Sequence, residues 1–156
     1  MDPCDLVFIE GLRPSKRRGI ALLRMDGDPA VDAVATFKAL SQDREREVRS
    51  RFDTWIEGAQ HNKRWFHGFD TKDYRDCMVF KWKHRNKGQR LYGFVSNPLP
   101  RTNRGFQLCV LTNHGEKVQW ETDPAELNKA RDLRGDPLVC AVIKMRFPDG
   151  QQGSNQ

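Results

Sequence analysis

The sequence predicts an α+β domain, with two helices preceding a small twisted antiparallel sheet and with extra strands at the two ends. Three observations carry this reading. Apolar residues recur at helical spacing between residues 31 and 59, and the period falls to two beyond Trp65. In addition, the window from Cys77 to Gly115 contains no acid while holding Lys81, Lys83, Arg85, Lys87, Arg90, Arg101 and Arg104. That window carries +7 against +6 for the whole chain of 156 residues, so the remainder sums to −1. Charge gathered around one predicted hairpin suits a polyanionic partner. The alternative is a solvated hairpin whose lysines protect a sheet edge from aggregation.

The elements follow in order. Residues 6–9 and 20–25 are short apolar runs separated by the basic loop Arg13-Pro14-Ser15-Lys16-Arg17-Arg18, which fits two strands joined by an exposed turn. After Asp28-Pro29, the positions Val31, Val34, Phe37, Ala39 and Leu40 predict a first helix with Pro29 in its opening turn. Ser41 is suited to cap a second, in which Val48, Phe52, Trp55, Ile56 and Ala59 make one apolar stripe and Gly58 lies near the end. Its opposite face, with Arg44, Arg46, Glu47, Arg49 and Arg51, reads as a solvated surface.

In the first strand of the basic window, Met78, Phe80 and Trp82 share the core face while Val79, Lys81 and Lys83 share the other. Gly88-Gln89-Arg90 reads as the return into a strand over 90–95, with Arg90, Tyr92 and Phe94 on one side. Residues 97–104 form a long exposed loop before the apolar strand 106–112. Asp123-Pro124-Ala125-Glu126 combines a cap, a first-turn proline and a glutamate three residues on, and so starts a helix through Leu127, Ala130 and Leu133 that Gly135 stops. Residues 138–147 return to strand character, and 148–156 read as a disordered tail after a single domain spanning 1–147.

Composition narrows the class. With 37% apolar and 31% charged residues, four Trp and nine Phe, the chain has the means to bury one core. Its acidic opening residues are not followed by a long apolar stretch, and no run reaches membrane-spanning length, so the expectation is a cytoplasmic protein without a membrane partner. Cys4, Cys77, Cys109 and Cys140 form no Cys-x-x-Cys pair. Three of them fall in apolar strands, which favours buried reduced thiols, although an even count leaves disulfides open.

His61, His67, His84 and His114 have no metal-ligand spacing, no nucleophile elbow or cysteine-protease signature appears, and no phosphate-cradling glycine loop is present. Neither a metal nor a cofactor is expected. A cluster of cations remains, suited to RNA cleavage in which the ribose 2′-hydroxyl attacks its own phosphate, because Lys and Arg donors stabilise the phosphorane more than the ground state. Lys81, Lys83 and Arg90 are placed for this, and a lysine crowded by like charge is a candidate base at Lys81 or Lys83. His114, Lys117 and His84 are candidates to protonate the leaving group. Arg85, Lys87, Arg101 and Arg104 would hold the RNA backbone. Trp82 shares parity with the core, while Trp120, between strand and helix, suits base stacking as well as packing.

On these residues the chain resembles the RelE/ParE superfamily of toxins from type II toxin–antitoxin pairs, in its phage-related HigB-like branch. Lys81-Trp82-Lys83 through Gly88-Gln89-Arg90-Leu91 is similar to that family's Lys-x-Lys strand, glycine turn and Arg-Leu strand. Residues 108–117 with Asp123-Pro124 and the helix after them are similar to the last strand, basic turn and proline-started helix of the branch. The likeness covers roughly residues 30–134. It implies a RelE-like helical hairpin packed on a small sheet, and an endoribonuclease that cuts messenger RNA on the ribosome and is neutralised by an antitoxin. It carries catalytic roles onto Lys81, Lys83 and Arg90, with Lys117 standing in for a further family arginine. A family tyrosine has no counterpart, since Tyr92 sits on a strand. The alternatives are a non-catalytic phage- or mobile-element-encoded binding module for nucleic acid or an acidic protein, and a ParE-like inhibitor of DNA gyrase.

Overall fold

The structure, a computed structural model, describes residues 3–117 and 124–150. Its elements run β1 (Cys4–Val7), β2 (Arg18–Met25), α1 (Ala33–Lys38), α2 (Gln42–Ile56), β3 (Phe66–Gly68), β4 (Cys77–His84), β5 (Lys87–Ser96), β6 (Gln107–Lys117), α3 (Pro124–Arg134) and α4 (Pro137–Arg146). The strands form one six-stranded sheet in the order β1-β2-β6-β5-β4-β3. β2 and β6 are parallel and every other pair is antiparallel, so the α+β class holds while the sheet is mixed and larger than expected.

Helices cover both faces. Against one face, Phe37 of α1 and Val48, Phe52, Trp55 and Ile56 of α2 pack on Met78, Phe80, Trp82, Leu91 and Leu111. The Phe80 ring meets Phe52, Trp55 and Phe66 at centroid distances of 5.0, 6.1 and 5.6 Å. The α2 stripe is therefore the one predicted, and the Trp82 ring belongs to this core. On the other face, Leu127 and Ala130 of α3 cover Cys77, Val79 and Tyr92, while Val139, Val142 and Ile143 of α4 cover Leu23, Phe94, Leu108 and Val110. Val79 is thus buried, although it alternates with Lys81 and Lys83, because α3 lies over that stretch of β4.

α4 corrects the strand predicted for residues 138–147. Its β-branched run favours a strand by propensity, but Asp136 caps a helix, accepting from Leu138 N and Val139 N, with Pro137 in the first turn. Val139, Val142 and Ile143 then fall three and four apart on one buried face. The hairpin turn is also displaced. β4 and β5 are joined by Arg85 and Asn86, with φ of 53° and 65°, which is a two-residue type I′ connection, and Gly88 lies within β5. The described part of the expected tail is tied down: the Asp149 carboxylate accepts from Arg101 N, Thr102 N and Thr102 Oγ1.

All four cysteines are free thiols. Cys4, Cys77 and Cys109 are buried on strands, whereas Cys140 lies on α4 rather than on a strand. Burial pushes the Cys77 thiol up to about 11 and raises those of Cys109 and Cys4. Among the described residues, no helix is long and apolar enough to cross a membrane.

The aromatic cluster makes the core testable. Phe80→Ala should cost about 3–5 kcal/mol in chemical denaturation, because Phe80 is fully buried among three rings. Leu138→Ala, on an exposed part of α4, should stay within about 0.5 kcal/mol of the parent. Equal losses for the two variants would show that the sheet does not pack as described.

Candidate nucleic-acid interface

β3 has only three residues and pairs with β4 only at Met78–Phe80, so beyond Phe80 the β4 edge away from β5 has no strand paired to it among the described residues. Just before β3, Asn62 organises a turn, its Oδ1 accepting from Arg64 N and Trp65 N. The last bond along this edge is Lys81 N to Trp65 O at 2.8 Å. The Lys81 ammonium donates to Lys63 O at 2.8 Å, which binds the turn to the strand. From the helical side, Arg44 donates to Lys83 O at 2.9 Å.

These contacts frame a cleft of about 710 Å³ around the open end of β4. It is lined by the cations Arg51, Lys63, Arg64, Lys81, Lys83 and Arg90, with Trp65 and Trp82 among its apolar walls. The lining acid is Glu47, and Arg51 and Arg44 pair with it at 3.0 and 3.1 Å. Arg51 also lies over the Trp65 ring, 5.0 Å from its centroid.

Register fixes which predicted residues meet. Lys81 stands directly opposite Arg90, and Lys83 opposite Gly88, so the three predicted catalytic cations share one sheet face at one end of the hairpin. Their exposures differ. Lys83 is exposed and Lys81 half-buried, but Arg90 is only 5% exposed, so its guanidinium has a packing role as well as a charge. Lys117 lies at the β6 position opposite Gly88. Arg85 occupies the exposed turn, and Lys87 pairs with Glu116 at 3.4 Å.

His114 is not brought to this face. It stands opposite Leu91, on the side covered by α1 and α2, and its Nε2–H donates to Gln89 Oε1 at 2.6 Å. Gln89 in turn donates to Glu116, which with the neighbouring Lys87 lowers that carboxyl below its usual range. His84 is exposed on the same side and lines a separate cleft with His114. Arg101 and Arg104 lie beyond the far end of β5, a ten-residue strand and hence about 30 Å long. The acid-free window therefore serves two ends of the sheet. Trp82 is 4% exposed and its indole N–H is buried without a partner, so it forms wall rather than a stacking platform. Trp120 lies outside the described residues.

The structure adds residues that sequence reasoning missed. Lys63, Arg64 and Trp65 sit on the turn before β3, where a run of two cations and an aromatic was the available signal. His67, opposite Val79 on β3, occupies the same sheet face as Lys81 and Arg90. Its Nδ1 lies 2.6 Å from Gly68 O and must donate there, so the neutral ring keeps its lone pair on Nε2. Burial first, and then the charges of Lys81 and Arg90, outweigh that bond and hold the imidazole below its ordinary pKa.

His61 behaves alike, held low by burial and by Arg18. Both of its ring nitrogens face N–H groups, Trp55 Nε1–H at 3.3 Å and Gly68 N–H at 3.1 Å, so a protonated ring would oppose two donors. No family model, curated protein or solved structure matches the chain.

A stability test follows from the two histidines. With folded pKa values below the unfolded value of about 6.5, the unfolded chain binds more protons below that pH. Their contribution is complete above pH 6.5 and declines as pH falls toward the lowered folded values. The urea midpoint should drop between pH 7.5 and 5.5, and His61→Gln with His67→Gln should flatten that dependence. An equally steep fall in the double variant would assign the effect to other groups.

Proposed function

We propose that this chain is a RelE-like toxin of a type II toxin–antitoxin pair, acting as an endoribonuclease on messenger RNA held by the ribosome. The observation that carries the reading is the cleft at the open end of β4, where six cations meet one acid that is already paired. Such a site favours the transition state of a reaction that accumulates negative charge on phosphorus.

In the proposed reaction the ribose 2′-oxygen attacks the adjacent phosphorus and the bond to the 5′-oxygen breaks. The products are a 2′,3′-cyclic phosphate and a 5′-hydroxyl. Lys81 and Lys83 donate to the non-bridging oxygens, and Arg90, set behind them, fixes the charge of the strand pair. His67 takes the 2′-hydroxyl proton at Nε2 in this scheme, and its low basicity keeps the ring neutral at pH 7. The 5′-oxygen leaves with a proton from a cleft cation or from water. Trp65, 39% exposed and backed by Arg51, offers the base a stacking surface that the sequence did not single out. An antitoxin partner accompanies this reading, as the family likeness implies.

The second reading is a non-catalytic RNA-binding module. It is favoured by the burial of Arg90 and by the seat of His114 across the sheet, which leave the cleft with fewer acid–base groups than the sequence promised.

The deciding measurement is single-turnover cleavage of a message on programmed ribosomes, beside the same RNA free in solution. Lys81→Ala and Lys83→Ala should each lower cleavage by roughly 10²-fold or more with the fold retained, and Arg90→Lys should keep the fold while slowing the reaction. RNA binding with no cleavage of either substrate would leave the module reading. Loss of gyrase supercoiling with translation intact would move the target to DNA topology.

The proton acceptor has its own signature. Cleavage should be level near pH 7 and fall as pH drops below about 6.5 through the lowered value of His67. His67→Gln should remove that limb along with most of the rate. An unchanged limb in His67→Gln would assign the proton elsewhere.

A further inference from the structure

At the opposite end of the sheet, two loops interlock. The segment between β1 and β2 brings Lys16 and Arg17, and the β5–β6 connection brings Arg101 and Arg104. Asn103 donates to Lys16 O at 2.9 Å, Gln107 N to Arg17 O at 2.7 Å, and Asn97 to Arg104 O at 2.8 Å. The Ser15 hydroxyl donates to Ile56 O at 2.8 Å and accepts from Arg17 N and Arg18 N, while Asp149 clamps the backbone at Arg101 and Thr102. Both loops are thus built firmly.

Their cations are left over from that construction. Arg18 is consumed by the fold, as it donates to Trp55 O in the last turn of α2 and to Ala59 O just beyond it, and covers the Trp55 ring. Lys16, Arg17, Arg101 and Arg104 are all exposed, and no described carboxylate lies within ion-pair distance of their side chains. The facing acid is Asp149, which accepts from amide and hydroxyl donors and feels the Arg101 charge from beyond ion-pair distance. Four like charges on two braced loops repel each other in the free protein, and a ligand of opposite charge relieves that repulsion.

We propose that these two loops form a second phosphate-binding surface, which holds the backbone of the same RNA strand or structure at a distance from the cleft. A polyanion fits better than a protein partner. Protein interfaces are anchored by exposed apolar or aromatic side chains, and of the large exposed hydrophobics of the described chain, Phe8, Trp65, Leu138 and Met145, only Phe8 begins one of these loops, where its ring is engaged by Phe147 at 6.0 Å and by Arg146 at 5.1 Å. The surface and the cleft lie about 30 Å apart along β5, which spans about nine phosphates of stacked strand at about 3.4 Å each. Binding here requires no catalysis, so the surface stands whether or not the cleft cleaves.

The test compares two variants of equal net charge in fluorescence-anisotropy titrations with a twenty-nucleotide single-stranded RNA across a salt series. Arg17→Ala with Arg101→Ala and Arg104→Ala should reduce the slope of log affinity against log salt by about 2, at about 0.7 per lost phosphate contact. Lys38→Ala with Lys72→Ala and Lys144→Ala, three exposed cations elsewhere, should leave that slope near the parent. Arg104→Gln alone should lower it by about 0.7, which keeps the test open if the triple variant folds poorly. A four-nucleotide RNA, too short to reach both ends, should show smaller differences. If the cleft variant Lys81→Ala with Lys83→Ala leaves the slope unchanged while the loop variant lowers it, the cleft reading fails and the second surface stands. Equal slopes for the loop and control variants overturn the proposal.

Discussion

The docking of α2 on β4 is the constraint from which the candidate site follows. Phe80 sits among Phe52, Trp55 and Phe66, so one residue of β4 ties the helix to the sheet and β3 to its edge. The last turn of α2 has no basic residue of its own, and Arg18 supplies one from β2, with Nη1 at 2.7 Å from Trp55 O and 3.0 Å from Ala59 O. A cation at that end satisfies orphan carbonyls and opposes the helix dipole. The helix is therefore held along its length and at its end. Its outward arginines, Arg44 and Arg51, then reach the rim of the cleft as a consequence of where Phe52 and Trp55 are buried.

Much of this was written into the sequence in a form that periodicity can read. The α2 stripe, the parity of Met78, Phe80 and Trp82, and the pairing of the two basic strands all follow from spacing alone, because burial of one face leaves no other register. What escaped was information that depends on a third layer. Val79 and Lys81 share parity, yet one is buried and the other half-buried, since α3 covers only part of β4. The Asp136-Pro137 cap resembles Asp123-Pro124 and was legible as a helix start, but the run Leu138-Val139-Cys140-Ala141-Val142-Ile143 outweighs it when propensity is weighed without the sheet it lies on. The cleft was half legible. Lys81, Lys83 and Arg90 were visible as a strand pattern, whereas Lys63 and Arg64 come from an irregular turn that no period announces, and His67, on the three-residue strand after it, lines a neighbouring cleft that shares Lys63.

The positive charge divides by use. Arg18 is committed to helix α2 and Arg49 to Glu45 and Glu10 O, while Arg146 joins Asp5 of β1 to the end of α4. These cations hold elements together, and their pairs are partly exposed, so each contributes modestly. Lys83 of the cleft and the cations of the two far loops are different in kind. Lys83 has an open ammonium while its carbonyl is bonded, and the far loops spend their backbone groups on each other and leave their side chains to solvent.

That pattern has an energetic meaning. Lys81 stands against Arg90 on the same face of a strand pair, where like charges oppose each other, and the Lys81 ammonium is also spent on Lys63 O. The arrangement persists because burial elsewhere, at Phe80, Tyr92 and Leu91, carries the stability of the pair. On the proposed reading, an anion entering the cleft would meet Lys81 and Lys83 already set in place by the register of the hairpin, which is the preorganisation that electrostatic stabilisation requires.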